Sequence, residues 1–404
     1  MRLTMAERRT VTKATCERYR KATKKEKGVI LGEFVALTGY TRCYARWLLR
    51  NHGRRVEIRP GVILEGDARK RPRRRVKRTY GPEVLGPLKK MWAMVGYISS
   101  KRLKPALPGL IARLEACKEL RLAKAVRTKL LAISAATIDR LLKTERAKFT
   151  LKRRGHTKPG TLLKHQIPIR TFSDWDDARP GFLEMDLVAH EGGSAAGEYC
   201  FTLDVTDVAS GWIELAAVPN KAQTNVFQAL MAIRQRLPFP VLGFDSDNGG
   251  EFINDQMLRF CRAEKITFTR SRPYRKNDNC YVEQKNWSVV RQEVGYGRYE
   301  SPEACRRLNE LYAQVCIRAN FFQPSLKLKE KTRTGGHVSR RHHPALTPYG
   351  RLLQSPHIDQ AVKDQLKARF ETLNPAQLYR NIQKLQKRLL TLAARAQQPA
   401  KAAA

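Results

Sequence analysis

The chain has 404 residues, 42% of them hydrophobic, which is enough to bury the cores of two or three domains. No apolar run reaches the roughly 18 residues of a membrane span, and the opening MRLTMAERRT has no apolar stretch of the kind a secretory signal needs. Lys and Arg number 78 against 37 Asp and Glu, a formal net charge of +41 that calls for a polyanion, and nucleic acid is the usual one.

That charge is unevenly spread. Residues 1–80 carry +17, 81–150 carry +10, 151–170 carry +6, 171–300 carry −5 and 301–404 carry +13. An acidic island between basic flanks is a candidate for carboxylates gathered around a cation. The eight cysteines are scattered without a CxxC pair, and no His/Cys cluster has zinc-finger spacing. They read as reduced thiols of a cytoplasmic protein.

Residues 24–51 read as two short helices. Ile30, Phe34 and Leu37 recur at helical spacing, Thr38-Gly39-Tyr40 interrupts them, and Tyr44, Trp47 and Leu48 resume. Two helices joined by a tight glycine-containing turn form the helix-turn-helix pattern. In the second helix Arg42, Arg46 and Arg50 fall on one face, opposite Trp47. A basic face backed by an apolar one suits a recognition helix in a major groove, and we assign this DNA-binding domain to residues 1–67. A plain solvated helix hairpin is the alternative.

Residues 68–80 form a basic linker containing Arg73, Arg74 and Arg75, a run suited to phosphates or a minor groove. Residues 81–148 read as a second helix-turn-helix-like domain. Ser134 is its candidate N-cap, Ile138, Leu141 and Leu142 its buried stripe, and Arg140 its DNA-facing residue. Residues 149–173, with Pro, Gly and a strongly basic start, read as a further linker.

The pattern then changes. GFLEMDLVAH, YCFTLDVTDVAS and WIELAAVP are strand-like, and helices and strands alternate after them through ITFTRSRP. Three meandering strands followed by alternation imply a mixed sheet flanked by helices over residues 174–325. The basic remainder, 326–404, is partly helical, with Leu378, Ile382, Leu385, Leu389 and Leu392 at heptad-like spacing. That stripe suits an oligomerisation or DNA-contacting helix, or a solvated basic tail.

Asp186 lies inside the first apolar strand and Asp247 closes the fourth, with Glu184 and Asp245 two residues earlier on the same strand faces. An ionised side chain in a buried strand is costly unless paired or metal-bound. Glu283 follows the polar loop RPYRKNDNCYV and begins a helix. Sixty residues separate Asp186 from Asp247, and 35 separate Asp247 from Glu283.

The segment DSDNGGEF at 245–252, with a helix-borne Glu283 after 35 intervening residues, resembles the D,D-35-E signature of the DDE transposases and retroviral-type integrases. Pro273-Tyr274 and the Asp207–Ser210 segment are similar to further family segments, and the basic helical front is similar to that of bacterial insertion-sequence transposases. The resemblance implies a multidomain α and α/β protein with an RNase H-like core. It further implies Asp186, Asp247 and Glu283 as catalytic metal ligands for two Mg²⁺ ions, which Mn²⁺ can replace. Lys276, Lys285 and Arg291 are candidate DNA contacts.

The chain departs from the family pattern in four places. Asp245 stands where the family often has His, Asn279 where it often has Gly, Gly211 where an Arg is common, and Val290 where a Lys or Arg is common.

The function so implied is that of a transposase acting in the cytoplasm at the nucleoid. It would bind the inverted repeats of a mobile element, cleave 3′ ends and join them to target DNA. The implied partners are double-stranded DNA and a second copy of the chain, with a helper ATPase as a further candidate. A nuclease without joining activity, or a domesticated transposase kept for sequence-specific DNA binding, are the alternatives.

Overall fold

The structure is a computed structural model that describes residues 3–60, 62–65, 79–148, 179–247, 249–270, 280–335 and 337–396. The linkers assigned to 68–80 and 149–173 lie almost wholly outside these residues. The chain forms two compact units, 1–79 and 80–404.

In the first unit α1 (Met5–Lys21) and α2 (Lys24–Thr38) each start with a capping box. The hydroxyls of Thr4 and Thr23 accept the N–H of Glu7 and Glu26, whose carboxylates reach back to the cap residues. α2 ends at Gly39, whose φ of 67° is a left-handed cap that costs glycine little. After Tyr40, Thr41 caps α3 (Arg42–Asn51). A hairpin of β1 (Arg55–Arg59) and β2 (Val62–Glu65) follows.

The core of this unit is Cys16, Tyr19, Ile30, Leu31, Phe34, Ala45, Leu48 and Leu49. The helices match the sequence reading, but the apolar faces are corrected. Leu37, Tyr44 and Trp47 are 56%, 47% and 41% exposed. α3 turns Ala45, Leu48 and Leu49 inward, a complete i, i+3, i+4 stripe, so Tyr44 and Trp47 stack on each other outside it, with ring centroids 6.3 Å apart.

The second unit begins with α4 (Pro82–Met94), α5 (Ser100–Ala116), α6 (Lys124–Ala132) and α7 (Ala135–Arg146). Ser134 caps α7 as its sequence position suggests, accepting the N–H of Thr137 at 3.2 Å. Ile138 and Leu142 are fully buried. A mixed sheet comes next, built from β3 (Phe182–Ala189), β4 (Phe201–Asp207), β5 (Ile213–Val218), β6 (Gly243–Ser246) and β7 (Thr267–Arg270). Its strand order is β5-β4-β3-β6-β7, antiparallel among the first three strands and parallel from β3 to β7. α8 (Gln223–Arg234) and α9 (Asp255–Ala263) make the crossovers, as parallel neighbours require.

After the sheet, α10 (Cys280–Lys285) runs through a π-helical stretch, Asn286–Arg291, into α11 (Gln292–Val294). The long α12 (Pro302–Phe322) packs on β5. The remaining elements are a hairpin, β8 (Leu328–Thr334) and β9 (His337–His342), and three helices, α13 (Pro348–Gln354), α14 (Gln360–Thr372) and α15 (Pro375–Ala396).

One continuous apolar core joins the sheet, α12 and α15 to helices α4–α7, the block read as a second DNA-binding domain. Polar ties reinforce it. Arg113 Nε donates to the Leu373 carbonyl at 2.6 Å, Gln323 Nε2 to the Val95 carbonyl at 2.9 Å, and Arg380 pairs with Glu119 at 2.6 Å. The stripe on α15 is therefore core. Leu378, Ile382, Leu389 and Ala393 are buried against α12, α4 and α5, which answers the open reading of that helix from within the chain. Among the described residues no helix is long and apolar enough to cross a membrane.

Leu389 is 1% exposed, so Leu389→Ala is expected to cost about 2–5 kcal/mol, read by denaturant unfolding. The loss should not vary with protein concentration. A loss that shrinks as concentration rises would mean that the stripe serves a second copy instead.

Candidate active site

Alternation along a strand puts Glu184 and Asp186 on one face of β3. Strand register extends that face across the sheet. Asp186 lies opposite Asp204 of β4, Glu184 opposite Thr206 of β4 and Asp245 of β6, and Asp245 opposite Thr269 of β7. Four carboxylates thus line the face of a buried sheet, where each must be compensated. Glu184 is fully buried and its Oε2 accepts the backbone N–H of Tyr281 and Val282, at 3.0 and 3.1 Å. Those donors open α10, so Glu184 satisfies helix-start N–H groups that have no partner inside the helix. Through this contact the strand bearing Asp186 holds the helix bearing Glu283. Asp245 is buried likewise and accepts from Thr269 Oγ1 at 2.5 Å.

Asp186 is the least compensated of this set that still meets solvent. Its Oδ1 accepts its neighbour Leu187 N–H at 2.8 Å and its Oδ2 accepts Asn286 Nδ2 at 2.5 Å. Burial and then the charge of Asp247 push its carboxyl up to about 7, and Glu283 adds to the rise. Asp247 is itself raised by burial, against a hydrogen bond from Gly249 N–H. The charges of Asp247 and Glu283 are thus both felt at Asp186.

Among the described residues no three His, Cys, Asp or Glu side chains close on a common point. Part of the reason is visible, since Asp186 is turned onto Asn286. Asn286 sits in the π-helical stretch, a distortion frequent at functional sites, and its Oδ1 is buried without a hydrogen-bond partner. An all-oxygen group of mutually repelling carboxylates fits a hard divalent cation, whose charge would relieve the repulsion that raises Asp186.

Asp204, not singled out from the sequence, belongs to this neighbourhood. It is fully buried, its Oδ2 lacks a hydrogen-bond partner, and burial raises it well above the ordinary carboxylate range while Lys285 counteracts. Its only sequence signal was its two-residue offset from Thr206 inside an apolar strand.

The remaining candidates fall in different places. Lys285 is half-buried, with Asp204 as its attractive neighbour and Arg102 and Arg351 as repulsive ones. Arg291 is half-buried too; it donates to the Ala189 carbonyl at 2.7 Å and lies 4.8 Å over the ring of Tyr296. Arg42, Arg46, Arg50 and Arg140 are exposed, the last hydrogen-bonded to Thr137 Oγ1 at 2.9 Å. Arg73, Arg74, Arg75 and Lys276 lie outside the described residues.

Two of the departures from the family pattern acquire a context. Gly211 takes a φ of 74° in the β4–β5 turn, which Asp207 ties together by accepting from Gly181, Ser210 N–H and the Ser210 hydroxyl. The guanidinium at this turn comes from α13 instead, where Arg351 donates to the Ser210 carbonyl at 2.9 Å. Val290 is fully buried, so the basic position one residue later, Arg291, faces a different direction from its neighbour.

A family model described as an integrase core domain matches residues 176–276. Over 350 residues the chain is 42% identical to the uncharacterized protein y4rM of Sinorhizobium fredii, covering 87% of this chain and 96% of that protein. Among solved structures it is similar to the catalytic core domain of BIV integrase, at 21% identity and a TM-score of 0.30, over 44% of this chain and 96% of that one. It is also similar to the HTLV-2 integrase catalytic core domain in complex with magnesium, at 15% identity and a TM-score of 0.29, over 37% and 93% of the two chains.

The tie between strand and helix can be tested directly. Glu184→Ala leaves the N–H groups of Tyr281 and Val282 without their acceptor and is expected to destabilise the fold by about 1–3 kcal/mol in thermal or denaturant unfolding. Hydrogen exchange should quicken at those two amides first. Unchanged exchange there would show that α10 is held by other means.

Proposed function

The chain belongs to the DDE integrase and transposase superfamily, in one family with y4rM of Sinorhizobium fredii, and from that membership we propose that it is a DNA transposase. It binds the terminal inverted repeats of a mobile element, cleaves their 3′ ends and joins them to target DNA. The observation that carries this reading is the half-buried Asp186 on the central strand, its carboxyl raised to about 7 by burial and then by the charge of Asp247, with Glu283 adding to the rise.

The reaction is a pair of in-line displacements at phosphorus. In the first, a water oxygen attacks an end phosphodiester and the 3′ oxygen leaves with a proton. In the second, that 3′-hydroxyl attacks a target phosphodiester, whose own 3′ oxygen departs. No covalent bond to the protein forms. Asp186, Asp247 and Glu283 would hold divalent metal, and Mg²⁺, or Mn²⁺ in its place, would supply positive charge for the attacking and leaving oxygens. Glu184 acts at one remove, holding α10 so that Glu283 stays over the sheet. Asn286 orients the Asp186 carboxylate until the ligand set closes.

DNA is gripped outside this acidic centre. The exposed face of α3 offers Arg42, Arg46 and Arg50 beside the stacked Tyr44 and Trp47. This composition suits a recognition helix, with guanidinium groups for guanine edges and phosphates and apolar rings for thymine methyls. Arg140 and the basic run with Arg73, Arg74 and Arg75 add phosphate contacts, as does Lys276. Pairing two element ends requires at least two copies of the chain on DNA.

Asp247→Asn or Glu283→Gln should abolish strand transfer in Mg²⁺ in an assay with the element's own ends, while binding of those ends stays nearly unchanged. Strand transfer surviving either change would remove these residues from the active site, and cutting without joining in the parent protein would make it a nuclease. Arg46→Ala should weaken end-specific binding by about 1–3 kcal/mol if this residue reads a base. An equal loss on random duplex would reduce it to a phosphate contact.

A further inference from the structure

A cavity of about 570 Å³ opens where α4, α7, the π-helical stretch, α12 and α15 meet. Its lining is unusual for a gap between helices. Four aromatic side chains, Trp92, Tyr97, Trp287 and Tyr379, share it with the guanidinium groups of Arg146 and Arg318. Trp92 and Tyr97 meet edge to face at 5.0 Å, and Arg146 lies 5.7 Å over the Trp92 ring. Tyr97 is held at a φ of 57°, a left-handed conformation that a tyrosine rarely adopts and that is found at ligand clamps.

Two donors in this wall are unsatisfied. Arg318 is 3% exposed and spends one Nη2 hydrogen on Glu293 Oε1 at 2.5 Å, yet its Nε is buried without a hydrogen-bond partner. Arg146 Nη2 is buried without one as well. Buried donors without acceptors are costly and mark a place where an acceptor arrives from outside. Arg318 is charge-matched by Glu293, which also accepts from Gln386 Nε2 at 2.9 Å, and Arg146 is charge-matched by Asp139, so what the two guanidinium groups still offer is an open N–H donor each.

Flat apolar surfaces for a ring and open N–H donors for its edge together describe one ligand class. We propose that this cavity receives a single unpaired nucleobase from the DNA on which the chain acts. The volume lies within the range of small-molecule sites, about 300–1,000 Å³. Stacking on aromatic rings tolerates any base, and the two guanidinium groups supply donors for base carbonyls or a phosphate oxygen. Position ties the cavity to the carboxylates, since Trp287 follows Glu283 by four residues on the same helical segment. A base drawn out of its stack there would fix the strand beside the phosphodiester to be cut. The proposal rests on the DNA-acting function and goes beyond it.

The test uses the full chain without divalent metal and two labelled duplexes, one fully paired and one with a single bulged 2-aminopurine nucleotide. The bulged duplex should bind about fivefold tighter or more, the low end for one base–aromatic stack, and its 2-aminopurine fluorescence should be quenched on binding. Trp287→Leu should abolish both the preference and the quenching, whereas Trp287→Phe should keep them, with thermal melting reporting that each variant is folded. Tyr379→Leu, a change at a half-buried site on α15, is the second variant should Trp287→Leu unfold, and should also reduce the preference. Equal binding of the two duplexes by the parent protein would overturn the base pocket and leave the DNA-acting function standing. Binding of neither duplex would overturn both.

Discussion

Burying carboxylates on the face of a central β-sheet is the constraint on which this structure depends. An uncompensated charge in a protein interior costs several kcal/mol, so every acidic side chain on that face needs a partner before the sheet can be covered. Glu184 takes two N–H groups from the start of α10, Asp245 takes the Thr269 hydroxyl, and Asp204 has Lys285 nearby. Each of these partners also fastens an element to the sheet. Compensation falls short at Asp204, whose Oδ2 has no hydrogen-bond partner, and at Asp186, which burial and then the charge of Asp247 raise while it still meets solvent. A carboxylate left electrostatically unfavourable and still open to solvent, as Asp186 is, is where a cation has most to gain by binding.

The same constraint organises the periphery. With α10 pinned by Glu184, the chain is carried through a π-helical stretch and α11 into α12, and α12 is the surface on which α15 packs. Helices α4 and α5 pack on α15 in turn, so an early segment and α15 share one core. Arg318–Glu293 lies within this junction as a nearly dry ion pair, with side chains 4% and 7% exposed. The charge distribution follows the same logic. Residues 171–300 carry −5 within a chain of +41, since this block holds the strands whose carboxylates line the sheet face.

Much of this was legible in the sequence. Strand alternation around Asp186, the DSDNGGEF segment and the 35-residue interval to Glu283 pointed to the sheet and to its acidic residues without any coordinates. Local capping signals were equally readable, as at Ser134 and at the Gly39 turn. What periodicity misjudged were helices with apolar residues on more than one side. Trp47 and Tyr44 are apolar yet exposed, since Ala45, Leu48 and Leu49 already complete the inward stripe of α3. Lys285 and Arg291 carry the charge expected of DNA contacts, but carbonyls, rings and Asp204 surround them. A sequence records that a side chain is basic, not what stands opposite it.

By itself, then, the sequence determined the order of strands and helices over 174–325, the mixed character of the sheet and the places of Glu184, Asp186 and Asp245 on it, because these rest on local periodicity and on intervals along one chain. Only the tertiary structure decided the rest. It assigned the α15 stripe to the core, gave Glu184 to the start of α10 and turned Asp186 onto Asn286. It also gathered four aromatic rings from α4, the turn after it, the π-helical stretch and α15 around one cavity. Those outcomes depend on which surfaces far apart in sequence meet, and burial and hydrogen bonding settle that only once the whole chain competes for the same core.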